Sequence, residues 1–205
     1  MSYRDAYKVD VPEGKSGIWS VEKFTVSEKD SEFDRLRALN PSSMGRYVAP
    51  GTYTSLKRGN KLIMSDTSDE IRDHIYFITR ADGNVLIAGL GIGMVLNGVA
   101  TQHGVEKITV IEKSPDVIKL VADHYRAKPY GSKLEIIEAD IFDWKPAKGV
   151  KYDHAWFDIW DDLCTDNLKE MATLNRRFAR TVTNKGSWGH GLLKSYARRE
   201  RRSAW

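Results

Sequence analysis

The sequence predicts an α/β fold, a doubly wound parallel sheet of five strands ordered 3-2-1-4-5 behind an N-terminal β-hairpin layer. Three observations predict it. Residues 84–112, NVLIAGLGIGMVLNGVATQHGVEKITVIE, run strand, glycine loop, helix, strand and terminal acid within one βαβ unit. The alternation of strand and helix continues after that unit. Acids then stand at the ends of three successive strands, as Glu112, Asp140 and Asp158.

Composition sets the frame. The chain has 205 residues, 41% of them hydrophobic and 29% charged, which suits one globular domain with an N-terminal appendage. The boundary is drawn at 66, with an arm and hairpin layer over 1–66 and the ligand-binding core over 67–205. No apolar run approaches the roughly 18 residues of a membrane span, and the N-terminus lacks the apolar core of a secretory signal. The lone Cys164 excludes an intramolecular disulfide and a cysteine-built metal site. A cytoplasmic location is the expectation.

Residues 1–14 are polar and carry Pro12 and Gly14, the pattern of a poorly anchored arm. Residues 18–26 alternate as a strand, 31–39 suit a short helix, and Asn40-Pro41-Ser42-Ser43 breaks it. Two strands follow, over 47–55 and 61–65, around a turn at Lys57-Arg58-Gly59-Asn60. Asp66 or Thr67 is placed to cap the next helix, and Thr67-x-x-Glu70 fits a capping box. Ile71, Ile75 and Ile78 form that helix's apolar stripe, which ends at Asp82-Gly83.

Residues 85–88 make the first core strand, apolar throughout as a strand buried on both faces must be. Gly89, Gly91 and Gly93 give a loop that turns sharply and lets a ligand approach the backbone. Met94, Val95, Leu96, Val99 and Ala100 form the next helix's apolar face, and 107–111 the second strand. Glu112 follows 23 residues after Gly89, where an acid accepts hydrogen bonds from a ribose diol. Ser114-Pro115 starts a helix, with Val117, Leu120, Val121 and His124 or Tyr125 facing inward. Residues 134–139 are the third strand and 152–158 contain the fourth. A helix is predicted over about 166–183, with Leu168, Met171, Leu174, Phe178 and Val182 inside and Asn184-Lys185-Gly186 ending it. Residues 187–193 are read as the fifth strand and the basic segment after it as a terminal helix. No internal repeat is present.

The ladder of acids beside a glycine loop is a Rossmann-like arrangement, and it resembles the class I S-adenosylmethionine-dependent methyltransferases. VLIAGLGIG is similar to their first motif and VIEKS to their second, which implies Glu112 on the ribose. EADIF is similar to their third, implying Asp140 at the adenine amino group and Ile141 against the ring. WFDIW is similar to their fourth, whose acid lies near the substrate, so the resemblance makes Asp158 the catalytic candidate. The likeness covers roughly 66–193 and leans to the spermidine-synthase-like branch through the hairpin layer, MSDTSDEIRDH and DIWDD. That implies S-adenosylmethionine as cofactor, a small or amine-bearing substrate, and methyl transfer. Aminopropyl transfer, cleavage of the sulfonium, or a non-catalytic interaction role are the alternatives. Ile92 stands where aminopropyltransferases carry an acid, their tyrosine-histidine-glutamate segment has no match, and strands six and seven of the methyltransferase sheet are missing.

Asp158-Ile-Trp160-Asp161-Asp162 is the stretch best suited to substrate chemistry, since carboxylates at a strand end hold an amine or take its proton. Asp161 is the second catalytic candidate. Against these readings, Asp161 or Asp162 also suits a helix cap, and Trp160 the core. Dinucleotide redox prefers G-x-G-x-x-G and leaves Asp140 unexplained. The five histidines form no H-x-x-x-H pair, so no metal site is expected. No G-x-S-x-G elbow occurs, and Ser187 has no assignable base.

The tail over 194–205 holds Lys194, Arg198, Arg199, Arg201 and Arg202 against Glu200, so it carries the whole net charge of +4. Such a tail suits a solvated helix end or a nucleic-acid contact. With Trp188 and Leu192 on the fifth strand and Trp205 beyond, an apolar edge would be left open, which predicts a homo-oligomer.

Overall fold

The computed structural model describes residues 6–40 and 47–203. The break assigned to Pro41-Ser42-Ser43, and Trp205, lie outside the described residues. Two sheets stand in sequence along the chain. The first is antiparallel and ordered β1-β2-β3-β4, from β1 (Gly14–Ser16), β2 (Trp19–Val26), β3 (Gly51–Arg58) and β4 (Lys61–Ser65). Helix α1 (Glu28–Ala38) connects β2 to β3, started by Ser27, whose Oγ accepts the Asp30 N–H at 3.2 Å. The turn at Gly59-Asn60 closes the β3–β4 hairpin with Arg58 opposite Lys61. β3 therefore starts four residues later and runs three further than its sequence suggested.

The second sheet has five parallel strands ordered β7-β6-β5-β8-β9. After α2 (Ser68–Ile78) come β5 (Gly83–Ala88), α3 (Met94–Ala100), β6 (Val105–Glu112) and α4 (Pro115–Arg126). Then follow β7 (Leu134–Glu138), β8 (Tyr152–Phe157), α5 (Asn167–Arg177), β9 (Val182–Ser187) and α6 (His190–Ser203). β5 is the middle strand, and its side chains alternate between two cores. Val85 and Ile87 join Val21 and Leu56 of the first sheet with residues of α2, α3 and α4. Leu86 and Ala88 face Phe157, Leu174 and Phe178 on the α5 side. The hairpin layer is thus tied to one face of the parallel sheet through shared core. No helix among the described residues is long and apolar enough to cross a membrane.

Several sequence expectations are corrected. The N-terminal segment is anchored from Tyr7 onward, because Val11 is fully buried and the buried Asp66 carboxylate accepts both the Val9 and Thr54 N–H groups, at 2.9 and 2.6 Å. Thr67 caps α2 without a side-chain bond; Glu70 instead accepts from the Ser65 N–H and Oγ, at 2.8 and 2.7 Å, so the capping box does not form. Helix α5 stops at Arg177, and Val182 opens β9 rather than closing the helix. Val182 lies four residues after Phe178, so a buried side chain there satisfies helical spacing and strand start alike. Thr181, Val182 and Thr183 are β-branched and settle the matter in favour of extended chain. Asn184-Lys185-Gly186 is consequently inside β9 and caps nothing.

Residues 187–193 are not a strand. Ser187 ends β9, Gly189 takes a left-handed φ of 68°, and Leu193, fully buried, donates its N–H to Gly189 O, just before α6. Trp188 and Leu192 are therefore off the edge strand. Trp188 packs against the main core and donates its indole N–H to Asp73 at 3.3 Å. The exposed residues of β9, Thr183 and Asn184, are polar, so among the described residues this strand offers no apolar edge of the kind invoked for a homo-oligomer.

Candidate active site

A cavity of about 620 Å³ opens at the carboxyl ends of β5, β6 and β8. Gly89, Gly91, Glu112, Asp140, Ile141, Asp158 and Asp161 all line it. Gly93 does not; it starts α3, and a Cβ there would sit 2.0 Å from the Tyr125 ring. Residues far apart in sequence thus meet because parallel strands deliver their C-terminal ends to one side of the sheet.

The glycine loop is held by the protein itself. Gly89 donates to Ile111 O, Leu90 to Glu112 Oε2, Gly93 to Leu90 O, and Ile92 to Met64 Sδ at 3.3 Å. Its N–H groups are thus largely satisfied internally, where the sequence suggested a ligand would meet them. Met64 of β4 lies over Gly91, so close that a Cβ on Gly91 would be 2.1 Å from its sulfur.

Glu112 ends β6 with both oxygens engaged: Oε2 accepts from Leu90 N–H at 2.8 Å and Oε1 from Ser114 N–H at 2.7 Å. Burial raises its pKa in spite of those bonds. Asp140 accepts from Lys113 Nζ at 2.6 Å and from Phe142 N–H at 2.9 Å, and the ammonium chiefly holds its carboxyl below the usual range. Ile141 is buried beside it.

Asp158 follows β8, and its N–H bonds Ala88 O at 2.9 Å, which fixes it against the middle strand. Burial pushes its pKa up to about 7, helped by the negative charges of Glu70 and Asp73. Its Oδ2 lies 3.6 Å from His74 Nε2. His74 is 3% exposed, and its Nδ1 takes the Trp156 indole N–H at 3.1 Å. An indole can only donate, so Nδ1 is bare and the imidazole proton sits on Nε2, facing Asp158. Burial lowers the His74 pKa to about 4. At neutral pH the contact is a neutral imidazole beside an acid, not an ion pair.

Asp161 and Asp162 do different work from Asp158. Arg58 bonds Asp161, and Lys61 bonds Asp162 and lies 3.9 Å from Asp161. The two acids latch the β3–β4 hairpin to the loop after β8. The partners are partly exposed, so the latch adds little stability. Trp160 donates to Glu170 Oε2 at 2.6 Å, and both line the cavity. Glu70, Glu112, Asp140, Asp158, Asp161 and Glu170 face it; Lys113 offsets Asp140 and Arg58 offsets Asp161, and the excess that is left is negative, which favours a cationic ligand. Among the described residues no group of His, Cys, Asp and Glu is set to hold a metal ion.

Sequence reasoning missed His74, Glu70 and Met64. A signal existed for the first: His74 lies three residues after Ile71 and four before Ile78, on the buried stripe of α2. Ile75, named for that stripe instead, is only half-buried.

No family model matches the chain, and no curated protein does. Solved structures similar to it include the CcbJ methyltransferase from Streptomyces caelestis, 18% identical with a TM-score of 0.43. That likeness covers 54% of this chain and 42% of CcbJ. The cyclase SpnF is 22% identical over 58% of this chain and 44% of its own, with a TM-score of 0.45. Coclaurine N-methyltransferase, solved with N-methylheliamine and SAH, is 18% identical over 57% and 32%, with a TM-score of 0.45. The chain spans less than half the length of each.

Proposed function

We propose that this chain is an S-adenosylmethionine-dependent methyltransferase acting on a small amine. The observation that carries the reading is the convergence of the glycine loop, Glu112, Asp140 and Asp158 on one acid-lined cavity at the strand ends. Its volume falls within the range of roughly 300–1,000 Å³ typical of ligand pockets. The donor set also fits: two carboxylates with acceptor capacity to spare, a buried Ile141, and negative charge around a cation.

Bound there, S-adenosylmethionine supplies a methyl group already activated by its sulfonium. The chain then has only to hold, orient and manage one proton. Glu112 can accept from ribose hydroxyls with the lone pairs its backbone bonds leave open. Asp140, kept charged by Lys113, would accept from the adenine amino group, and Ile141 would cover the ring. Asp158 serves the amine: in its charged form it takes a proton from the ammonium onto its carboxylate, leaving a nucleophilic nitrogen. The His74 Nε2–H faces that carboxylate and favours its charged form. Trp160, tied down by Glu170, offers a face for the cation. Asp161, engaged by Arg58, is assigned to holding the hairpin over the site rather than to proton transfer.

Mass spectrometry after incubation with S-adenosylmethionine and a panel of small mono- and diamines tests the reading. S-adenosylhomocysteine with an amine heavier by one methylene is the expected result. Methylthioadenosine would instead indicate aminopropyl transfer or sulfonium cleavage, and bound but unconverted cofactor an interaction role.

A further inference from the structure

Helices α5 and α6 lie side by side and form the walls of an open groove of about 840 Å³. α5 contributes Lys169 and Arg176, two helical turns apart; α6 contributes Lys194, Arg198 and Arg201, spaced i, i+4, i+7 on one face. No aspartate or glutamate lines the groove. Asp166 comes within 3.8 Å of Lys169, but both side chains are 88% exposed, so the pair neutralises little. Glu200 precedes Arg201, about 100° round the helix, and is not on the groove wall. The sequence drew attention to the tail alone. The structure joins it to two cations of α5 that no sequence pattern linked to it.

This arrangement costs the fold something. Like charges at i, i+4 repel along α6, and the facing row on α5 adds to the repulsion. A helix that needed only solubility would alternate its signs. We infer that the α5–α6 groove is a docking surface for the phosphodiester backbone of a nucleic acid, bound without regard to sequence. A row of cations on each wall is the electrostatic counterpart of a strand of phosphates. Three of the five are arginines, whose planar forks bind phosphate oxygens in pairs. An acidic protein fits less well, because the groove offers only Leu168, Ala172 and Ala197 as apolar anchors and no tyrosine or tryptophan for a protein hot spot. His190 at one end is the groove's single ring and Phe, Tyr and Trp are absent from its lining, so successive bases have no row of stacking platforms. α5 separates this surface from the candidate active site, since Glu170 lines the cavity while Lys169 and Arg176 line the groove. The inference therefore stands apart from the proposed cofactor chemistry.

Fluorescence anisotropy with the full chain and a labelled mixed-sequence 20-base-pair duplex tests it. Micromolar binding at 50 mM salt is expected, equal for duplexes of unrelated sequence. With about four phosphates neutralised, affinity should fall about 150-fold between 50 and 200 mM salt. Lys194 and Arg198 are exposed and sit among like charges, so Lys194→Glu with Arg198→Glu should not lower the unfolding midpoint. That double variant should bind at least about 30-fold more weakly, with a flatter salt dependence. Arg176→Glu on the opposite wall should weaken binding too, while Lys194→Arg should not. Absence of binding at 50 mM salt, or charge reversal on both walls without effect, overturns the inference. So does poly-glutamate of equal charge competing as well as the duplex, which would mark an acidic protein as the partner.

Discussion

Asp158→Asn is expected to lower turnover about 100-fold while leaving S-adenosylmethionine affinity within about tenfold of wild type. The substitution keeps the shape and removes the ionisable group. Wild-type activity should rise with pH through about 7, where Asp158 becomes a base, and the variant should lose that limb. Stability should move the other way. An aspartate in the unfolded chain ionises near 3.8, but in the fold Asp158 holds its proton to about 7, because burial, Glu70 and Asp73 penalise its charge. The folded state therefore binds the extra proton between those values, and stability falls as pH rises through that window. Asp158→Asn escapes the penalty. At pH 8 it should be more stable than wild type, on the order of 3 kcal/mol, with the advantage shrinking at pH 5 and vanishing toward pH 4. Urea titrations at the three pH values read this directly. An unchanged turnover would make Asp158 a structural acid and leave the proton without an acceptor.

Gly89→Ala should be the most disruptive small substitution in the loop. Gly89 has a φ of 96°, and an added Cβ would lie 2.0 Å from the Asp158 carbonyl oxygen. That neighbour is backbone, fixed by the β5–β8 pairing, so it cannot move aside cheaply. Left-handed strain and overpacking together should cost about 3 kcal/mol or more. Gly149 is the control: its φ is 89°, yet nothing lies within 4 Å of the added Cβ. Gly149→Ala should cost about 1–2 kcal/mol, the strain alone. Equal urea midpoints for the two variants would mean that contact with Asp158 is not what requires glycine at 89.

The central βαβ unit was legible because each part carries its own signal: an apolar run, closely spaced glycines, and an acid at a strand end. Glu112, Asp140 and Asp158 could be marked from strand ends alone, because parallel strands bring those ends together. The second half of the sheet was less legible. Phe178 and Val182 are spaced for a helix but divided between a helix end and a strand, and only the β-branched run around Val182 argued otherwise. The polar look of 7–14 hid an anchor, since what holds it is the backbone N–H of Val9 on Asp66, a contact of 57 residues' separation. His74 was missed for the same reason: its meaning comes from Trp156 on one nitrogen and Asp158 near the other, neither of them local in sequence.

Isothermal titration of S-adenosylmethionine into the wild-type chain and into Glu112→Ala and Asp140→Ala tests the central claim most directly. Glu112→Ala should weaken binding by about 1.5–3 kcal/mol, the loss of a charge-assisted hydrogen bond. Because it also frees the Leu90 and Ser114 N–H groups, Glu112→Gln serves as the shape-preserving companion and should weaken binding in the same direction. Asp140→Ala should weaken it by less, since Asp140 is already paired with Lys113. Measurable wild-type affinity that falls in this order is the predicted result. No heat of binding to the wild type, or affinity unchanged in both Glu112→Ala and Asp140→Ala, would contradict it.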